Sequence, residues 1–277
     1  MKESSIGIFD SGFGGLTVMK AVKSLLPKEN IIYFGDTMNV PYGNKNQETI
    51  LKYCLENIRF LENLGIKLLI IACHTVSTTM YQDLQKLSAI PILGMVDPSI
   101  SLLQKKAKYK TMPKIAILGT KRTIDSGIYQ SAILSAIPKA SLIALPCPLF
   151  VPLVEDGYAD HPIAKTIIQE CLSPIKPVDM ALLACTHYPL LQKYIQNTLG
   201  SSSTLLDPAI ACAEEAQSIL NKNNLLNDCE SPPKYLFYVS GPLEKFSLMG
   251  EKFLKHPIHP IFSTKTAADY SNKRIIC

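Results

Sequence analysis

Short aliphatic runs alternate with longer amphipathic stretches along most of the chain. Runs at residues 6–9, 31–34, 67–72, 92–95, 115–118, 142–145, 180–184, 204–206 and 235–239 are rich in Ile, Leu, Val, Phe and Tyr and read as strands. Between most of them apolar residues recur at helical spacing. The clearest helix is predicted over 47–64, where Ile50, Leu51, Cys54, Leu55, Ile58, Leu61 and Leu64 share one face and Gly65 supplies the stop. Such alternation predicts an α/β protein whose mainly parallel sheets are covered by helices. Chemistry then belongs beyond the carboxyl ends of the strands. The polar, proline-bearing stretch 221–234 reads as a surface loop.

Two aliphatic runs end alike. "LLIIACHTVSTT" carries Cys73 and His74, and "MALLACTHYPLL" carries Cys185 and His187. The openings "SIGIFDSGFGG" and "KIAILGTKRTIDSG" echo each other as well, and the interval from Ile6 to Ile115 agrees within three residues with that from Cys73 to Cys185. The echo predicts two similar three-layer α/β domains facing each other, with Cys73 and Cys185 on opposite walls of one inter-domain cleft.

Composition narrows the class. At 277 residues with 18% charged side chains, the chain has ample material for a core and none of the bias of disorder. The net charge of +5 is mild. Its densest cluster, Lys105, Lys106, Lys108 and Lys110, is short and reads as a solvated face, so no nucleic-acid partner is expected. The opening "MKESSIGIFD" lacks a signal-peptide core and no run reaches the ~20 apolar residues of a membrane span, so a soluble, cytoplasmic protein without a membrane partner is expected. The eight cysteines are irregularly spaced and read as reduced thiols.

Most free cysteines are core filler, and Cys54, Cys171 and Cys212 in helical patterns fit that description. Cys73 and Cys185 stand instead at strand-to-helix turns, where a helix N-terminus favours thiolate and lowers a thiol's pKa. His187 is placed to orient or protonate Cys185. In "IFDSGFGGLTV", the glycine spacing is wrong for a dinucleotide fingerprint, and Asp10 would repel phosphate. Asp10 then reads as a proton relay or as a plain helix cap. In "YFGDTMNVPYG", Asp36 and Thr37 read as turn formers, while Pro41, Tyr42 and Gly43 could give a carboxylate a rigid edge of donors. Glu155 in "FVPLVEDG" suits a solvated surface as well as a site. Cys73, His74, Cys185 and His187 are zinc-type donors at the wrong spacing, so no metal is expected.

Taken together, "IGIFDSGFGGLTV", "YFGDTMNVPYG", "ACHT", "ILGTKRTI", "CPLFVPLVE" and "ACTHYPLL" resemble, in order and spacing, the glutamate racemases of the aspartate/glutamate racemase superfamily. The resemblance implies a cofactor-independent isomerase that interconverts L- and D-glutamate and supplies D-glutamate for peptidoglycan. It implies a first domain of residues 1–96 plus 207–277 and a second of 97–206. Cys73 would take the α-proton of D-glutamate with help from Asp10, and Cys185 that of L-glutamate with help from His187. Asp10, Ser11, Pro41, Tyr42, Gly43, His74, Thr75, Thr120, Glu155, Thr186 and His187 match substrate-binding positions. Members of the family are often homodimers.

The chain departs from the family pattern in places. His74 stands where Asn is usual, Asn39 where Arg is usual, Asp207-Pro208-Ala209 where Asp-Ser-Gly is usual, and Asp97 where Glu is usual. These leave two other readings open: a racemase for another amino acid such as aspartate, and a binding role of the gyrase-inhibiting kind with little turnover.

Overall fold

The computed structural model describes residues 1–175 and 177–262. The stretch "TKTAADYSNKRIIC", with Cys277, for which the sequence offers no role, lies outside them. Ten strands are described: β1 (Ile6–Asp10), β2 (Ile31–Gly35), β3 (Leu68–Ile71), β4 (Ile92–Leu93), β5 (Lys114–Gly119), β6 (Ser141–Pro146), β7 (Met180–Ala184), β8 (Thr204–Leu206), β9 (Tyr235–Val239) and β10 (Pro260–Phe262). They form two sheets, ordered β10-β9-β2-β1-β3-β4 and β6-β5-β7-β8, with every pairing parallel. The expected α/β class with parallel sheets is what the chain forms.

The central strands β1, β2, β3 and β7 are buried throughout because helices cover both faces of each sheet. The Gln47–Asn63 helix starts at Asn46, whose side chain accepts from Thr49 N at 2.8 Å, and Gly65 follows its end at φ +73°. It buries Ile50, Cys54, Ile58 and Leu61 on the β1–β2–β3 sheet, at about 1.5–3 kcal/mol for each large aliphatic side chain. The helices Leu16–Leu25 and Ala209–Lys222 lie side by side, and their core runs without a break into the apolar layer beneath β5 and β7. Cys54 and Cys212 are buried in helices as expected, while Cys171 is only half-buried.

Four details differ from the sequence reading. The run 92–95 yields a strand of only two residues, because Met95 takes helical angles and caps the Val96–Ala107 helix. Lys67 precedes β3 rather than joining it, and its ammonium turns inward to Glu29 at 2.5 Å and to the carbonyls of Leu225 and Lys2. The predicted loop begins only after Asn221 and Lys222, which close a helix, and it is fastened to Glu29 through Asn227 N at 2.8 Å. The strand β10 was not expected: in "HPIHPIF" proline and histidine break the alternation, and proline is tolerated as the first residue of an edge strand.

Candidate active site

Parallel register brings the chemistry together. Phe9 pairs with Ile71 and Asp10 with Gly35, so Asp10, Cys73 and Asp36 leave neighbouring strands at one end of the first sheet. Gly119 pairs with Ala184, so Thr120 and Cys185 leave the second sheet side by side. The two ends meet at a cleft lined by Ser11, Tyr42, Cys73, His74, Thr120, Cys185, Thr186 and His187, with Val40, Pro41, Gly43, Thr75 and Val151 completing the wall. The free room is about 20 Å³, enough for about one water molecule. That room is smaller than an amino acid.

Cys73 sits at the N-terminus of the short His74–Thr79 helix, and its thiol donates to Ser11 Oγ at 3.5 Å. The expectation that a helix N-terminus lowers its pKa is not met. Burial, then the Asp10 carboxylate, push it from 9.0 up to about 12, and six residues of helix do not offset them. Cys185 is followed not by an α-helix but by a 3₁₀ turn, Tyr188–Leu191. Its electrostatic partner is a side chain: His187 Nδ1 lies 3.8 Å from Cys185 Sγ, and Nε2 lies 2.7 Å from Glu155 Oε1. Burial opposes a charge on His187, but its bonds to Cys185 and Glu155 outweigh burial and hold its pKa well above the usual imidazole range. Glu155 is thus a buried partner of the site and not a solvated carboxylate.

Asp10 is no helix cap. The Leu16–Leu25 helix starts at Gly15 without side-chain capping. Asp10 is buried, accepts from Gly12 N at 3.0 Å, and accepts across the cleft from Thr186 Oγ1 at 3.2 Å. Burial raises its pKa, against His187 and these donors. The glycine-rich turn serves close approach, not phosphate. A Cβ on Gly14 would lie 2.5 Å from His187 Nδ1, and one on Gly12 would lie 2.6 Å from Glu155 Oε1. Tyr33 anchors the turn by donating to Gly12 O at 2.8 Å.

Three hydroxyls form a triangle at the rim, with Thr75–Thr120 at 3.0 Å, Thr120–Thr123 at 2.9 Å and Thr75–Thr123 at 3.3 Å. Packed against Thr120 through Gly43, the Tyr42 loop hangs on Asp36. That carboxylate accepts from Tyr42 Oη at 2.5 Å, from Ser240 Oγ at 2.5 Å, and from Asn39 Nδ2 at 3.0 Å. His74 turns its Nδ1 to Tyr129 Oη at 2.7 Å. Among the described residues no three His, Cys, Asp or Glu side chains gather as a metal site requires, and no helix is long and apolar enough to cross a membrane.

A profile of the Asp/Glu/Hydantoin racemase family matches residues 6–216. The chain belongs to that family. It is accordingly an amino-acid racemase, an isomerase by reaction class. A glutamate racemase of Syntrophus aciditrophicus (strain SB) is 41% identical over 252 residues, covering 90% of this chain and 92% of that protein. The crystal structure of a glutamate racemase isoform, RacE1, from Bacillus anthracis superposes with a TM-score of 0.89 at 32% identity, covering 95% of this chain and 98% of the other. That of the glutamate racemase from Francisella tularensis, solved in complex with D-glutamate, gives 0.87 at 34% identity over 96% and 99%.

Every site residue expected from the racemase resemblance lies at or just behind this cleft. The structure adds some that went unread. Asp36 is a buried acceptor and not merely a turn former, and Thr123, Tyr129 and Ser240 join the site's hydrogen bonds. Only the "DT" after an aliphatic strand hinted at Asp36; the others sit in ordinary polar positions of helices and strand ends. Asp97 is exposed in the first turn of the Val96–Ala107 helix and does not line the cleft. Of the lysine cluster, Lys105 pairs with Glu214 and Lys110 with Asp179 at the surface, where such pairs contribute little.

Proposed function

We propose that this racemase interconverts L- and D-glutamate without a cofactor, through two opposed thiols. The observation that carries the reading is that Cys73 and Cys185, delivered by different sheets, line one cleft. The likeness to glutamate racemases over nearly the whole chain supports glutamate as the substrate. An α-proton is weakly acidic, and inversion needs one acid–base group on each face of the α-carbon. Cys185 as thiolate takes the α-proton of L-glutamate; Cys73 as thiol then gives its own proton to the opposite face. In reverse, Cys73 takes the proton of D-glutamate and Cys185 returns one. Each inversion breaks one C–H bond and forms another, and the two sulfurs exchange protonation states.

The transient carbanion has its charge spread onto the α-carboxylate. Preorganised donors in a dry site stabilise it. Ser11, Tyr42, Thr75, Thr120 and Thr186 supply hydroxyls for the two carboxylates, Pro41 and Gly43 shape the edge, and His74 faces the amino group. Asp10 assists Cys73, while His187, charged and braced by Glu155, supports anionic sulfur at Cys185. In this reading residues 1–96 with 207–277 form one domain and 97–206 the other, and the product, in the cytoplasm, feeds peptidoglycan synthesis.

The test is an assay in deuterium oxide with L-glutamate, D-glutamate and both aspartate enantiomers, with no cofactor added. Proton NMR follows loss of the α-proton and circular dichroism follows inversion. Exchange with inversion of glutamate, lost in Cys73→Ala and in Cys185→Ala, is expected. Inversion of aspartate instead would move the substrate, and no exchange with any of the four by folded protein would overturn the reading.

A further inference from the structure

His74 is buried, lines the cleft, and has one ring nitrogen spoken for. A chain of three contacts decides which nitrogen holds its proton. Ser99 Oγ lies 2.6 Å from the carbonyl oxygen of Met95. Two oxygens so close, one of them a carbonyl, need the serine proton between them. Ser99 therefore has only lone pairs left for Tyr129 Oη, 3.3 Å away. The phenol proton fills that contact, and the phenol oxygen then accepts at 2.7 Å from His74 Nδ1. Three contacts receive three protons. If the phenol donated to Nδ1 instead, the Ser99 and Tyr129 oxygens would face each other with no proton between them. Both are fully buried, out of reach of bulk water.

We propose that Ser99 and Tyr129 hold His74 in its Nδ1–H tautomer, so that Nε2 faces the cleft as an uncharged acceptor for the substrate's primary ammonium group. Nε2 makes no hydrogen bond within the described residues. Burial drives the His74 pKa from 6.5 down to about 3, so the ring carries no charge that would repel an ammonium. Ser99 and Tyr129 are positioning residues that act through His74. They come from the first turns of the Val96–Ala107 and Ile128–Ala136 helices, whereas His74 opens the His74–Thr79 helix. The ammonium contact rests on the amino-acid racemase reading; the tautomer does not.

The experiment uses full-length protein labelled with ¹⁵N-histidine. A long-range proton–nitrogen spectrum at neutral pH, with His74 assigned by its absence in His74→Asn, should show pyrrole-type Nδ1 and pyridine-type Nε2. In Ser99→Ala the phenol proton loses its acceptor and turns to Nδ1, so the two nitrogens exchange types. The KM for glutamate should then rise on the order of tenfold, with kcat changed less than about twofold. Tyr129→Phe, which keeps the ring and removes the oxygen, should leave a mixture of tautomers and a smaller rise in KM. A packing role alone would not exchange the nitrogen types. Pyridine-type Nδ1 in the wild type overturns the tautomer assignment. Exchanged types with an unchanged KM overturn the ammonium contact. If wild-type protein turns over no glutamate, the substrate reading fails, while the spectrum still decides the tautomer.

Discussion

The two walls of the cleft carry the same functional group in opposite electrical settings. Cys73 is enclosed by neutral neighbours and the nearby Asp10 carboxylate; its thiol donates to Ser11 and holds its proton up to a pKa of about 12. Cys185 stands 3.8 Å from an imidazole whose pKa is held well above its ordinary range by its bonds to Cys185 itself and to Glu155. Sequence repetition therefore did not produce chemical repetition. One wall is built to keep a proton and the other to support negative charge. In the proposed mechanism that asymmetry sets the resting enzyme to receive L-glutamate first.

The largest effect that sharpens this comparison comes from removing either sulfur. Cys73→Ala and Cys185→Ala should each lower racemisation by at least ~10³-fold, read by circular dichroism; appreciable inversion by either variant would break the pairing of the walls. Glu155→Gln comes next. It removes a carboxylate that keeps His187 charged, so kcat/KM should fall on the order of 10²-fold. The alkaline limb of its pH profile should also move to lower pH, because His187 then loses its proton sooner. Enantiomers are equal in free energy, so the fall must be the same in both directions. The α-deuterium isotope effect should nevertheless grow more with L- than with D-glutamate, since in the proposed mechanism Cys185 acts on L.

A third test reads stability. Cys73 has a folded-state pKa above its unfolded value of 9.0, so the folded protein holds that proton more tightly. Its contribution is complete below pH 9.0 and is lost as pH rises toward about 12. Urea unfolding should show wild type losing about 2 kcal/mol between pH ~8 and pH ~10.5 that Cys73→Ala does not lose. Equal losses would mean that the thiol is not the group responsible. Smallest is Ser11→Ala, which removes the hydroxyl beside Cys73. A neutral hydrogen bond is worth about twofold to tenfold here, and a loss as large as that of Glu155→Gln would show the Cys73 wall to depend on more than burial.

Much of this was legible before any coordinates. Aliphatic runs closed by Asp10, Cys73 and Cys185 announce strand ends, because a parallel strand buried on both faces has no room for polar residues until it leaves the sheet. The glycines after Asp10 announced a tight turn, though not that its backbone presses on His187. Other features were out of reach of periodicity. Tyr129 and Ser99 occupy positions that would suit a helix face against any neighbour, and only the second sheet's placement brings them to His74. Asp36 looked like a turn residue because its partners, Tyr42 and Ser240, are near in one case and two hundred positions away in the other. The Cys73 pKa departs from the sequence expectation for a related reason. Local helix geometry can be read along the chain, but the burial that overrides it is a property of the whole fold.

If the two sulfurs act as proposed, a cleft with room for about one water molecule gives the protein a memory. In the proposed mechanism each inversion ends with the sulfurs carrying each other's protonation state, so the protein that releases D-glutamate differs from the one that bound L-glutamate and is ready only for the return journey. With almost no solvent inside, that state resets only after the walls part. By that mechanism free racemase is two species, one for each hand of the substrate. When ligand is abundant, the interval between release and the next capture decides whether the protein forgets which hand it last made.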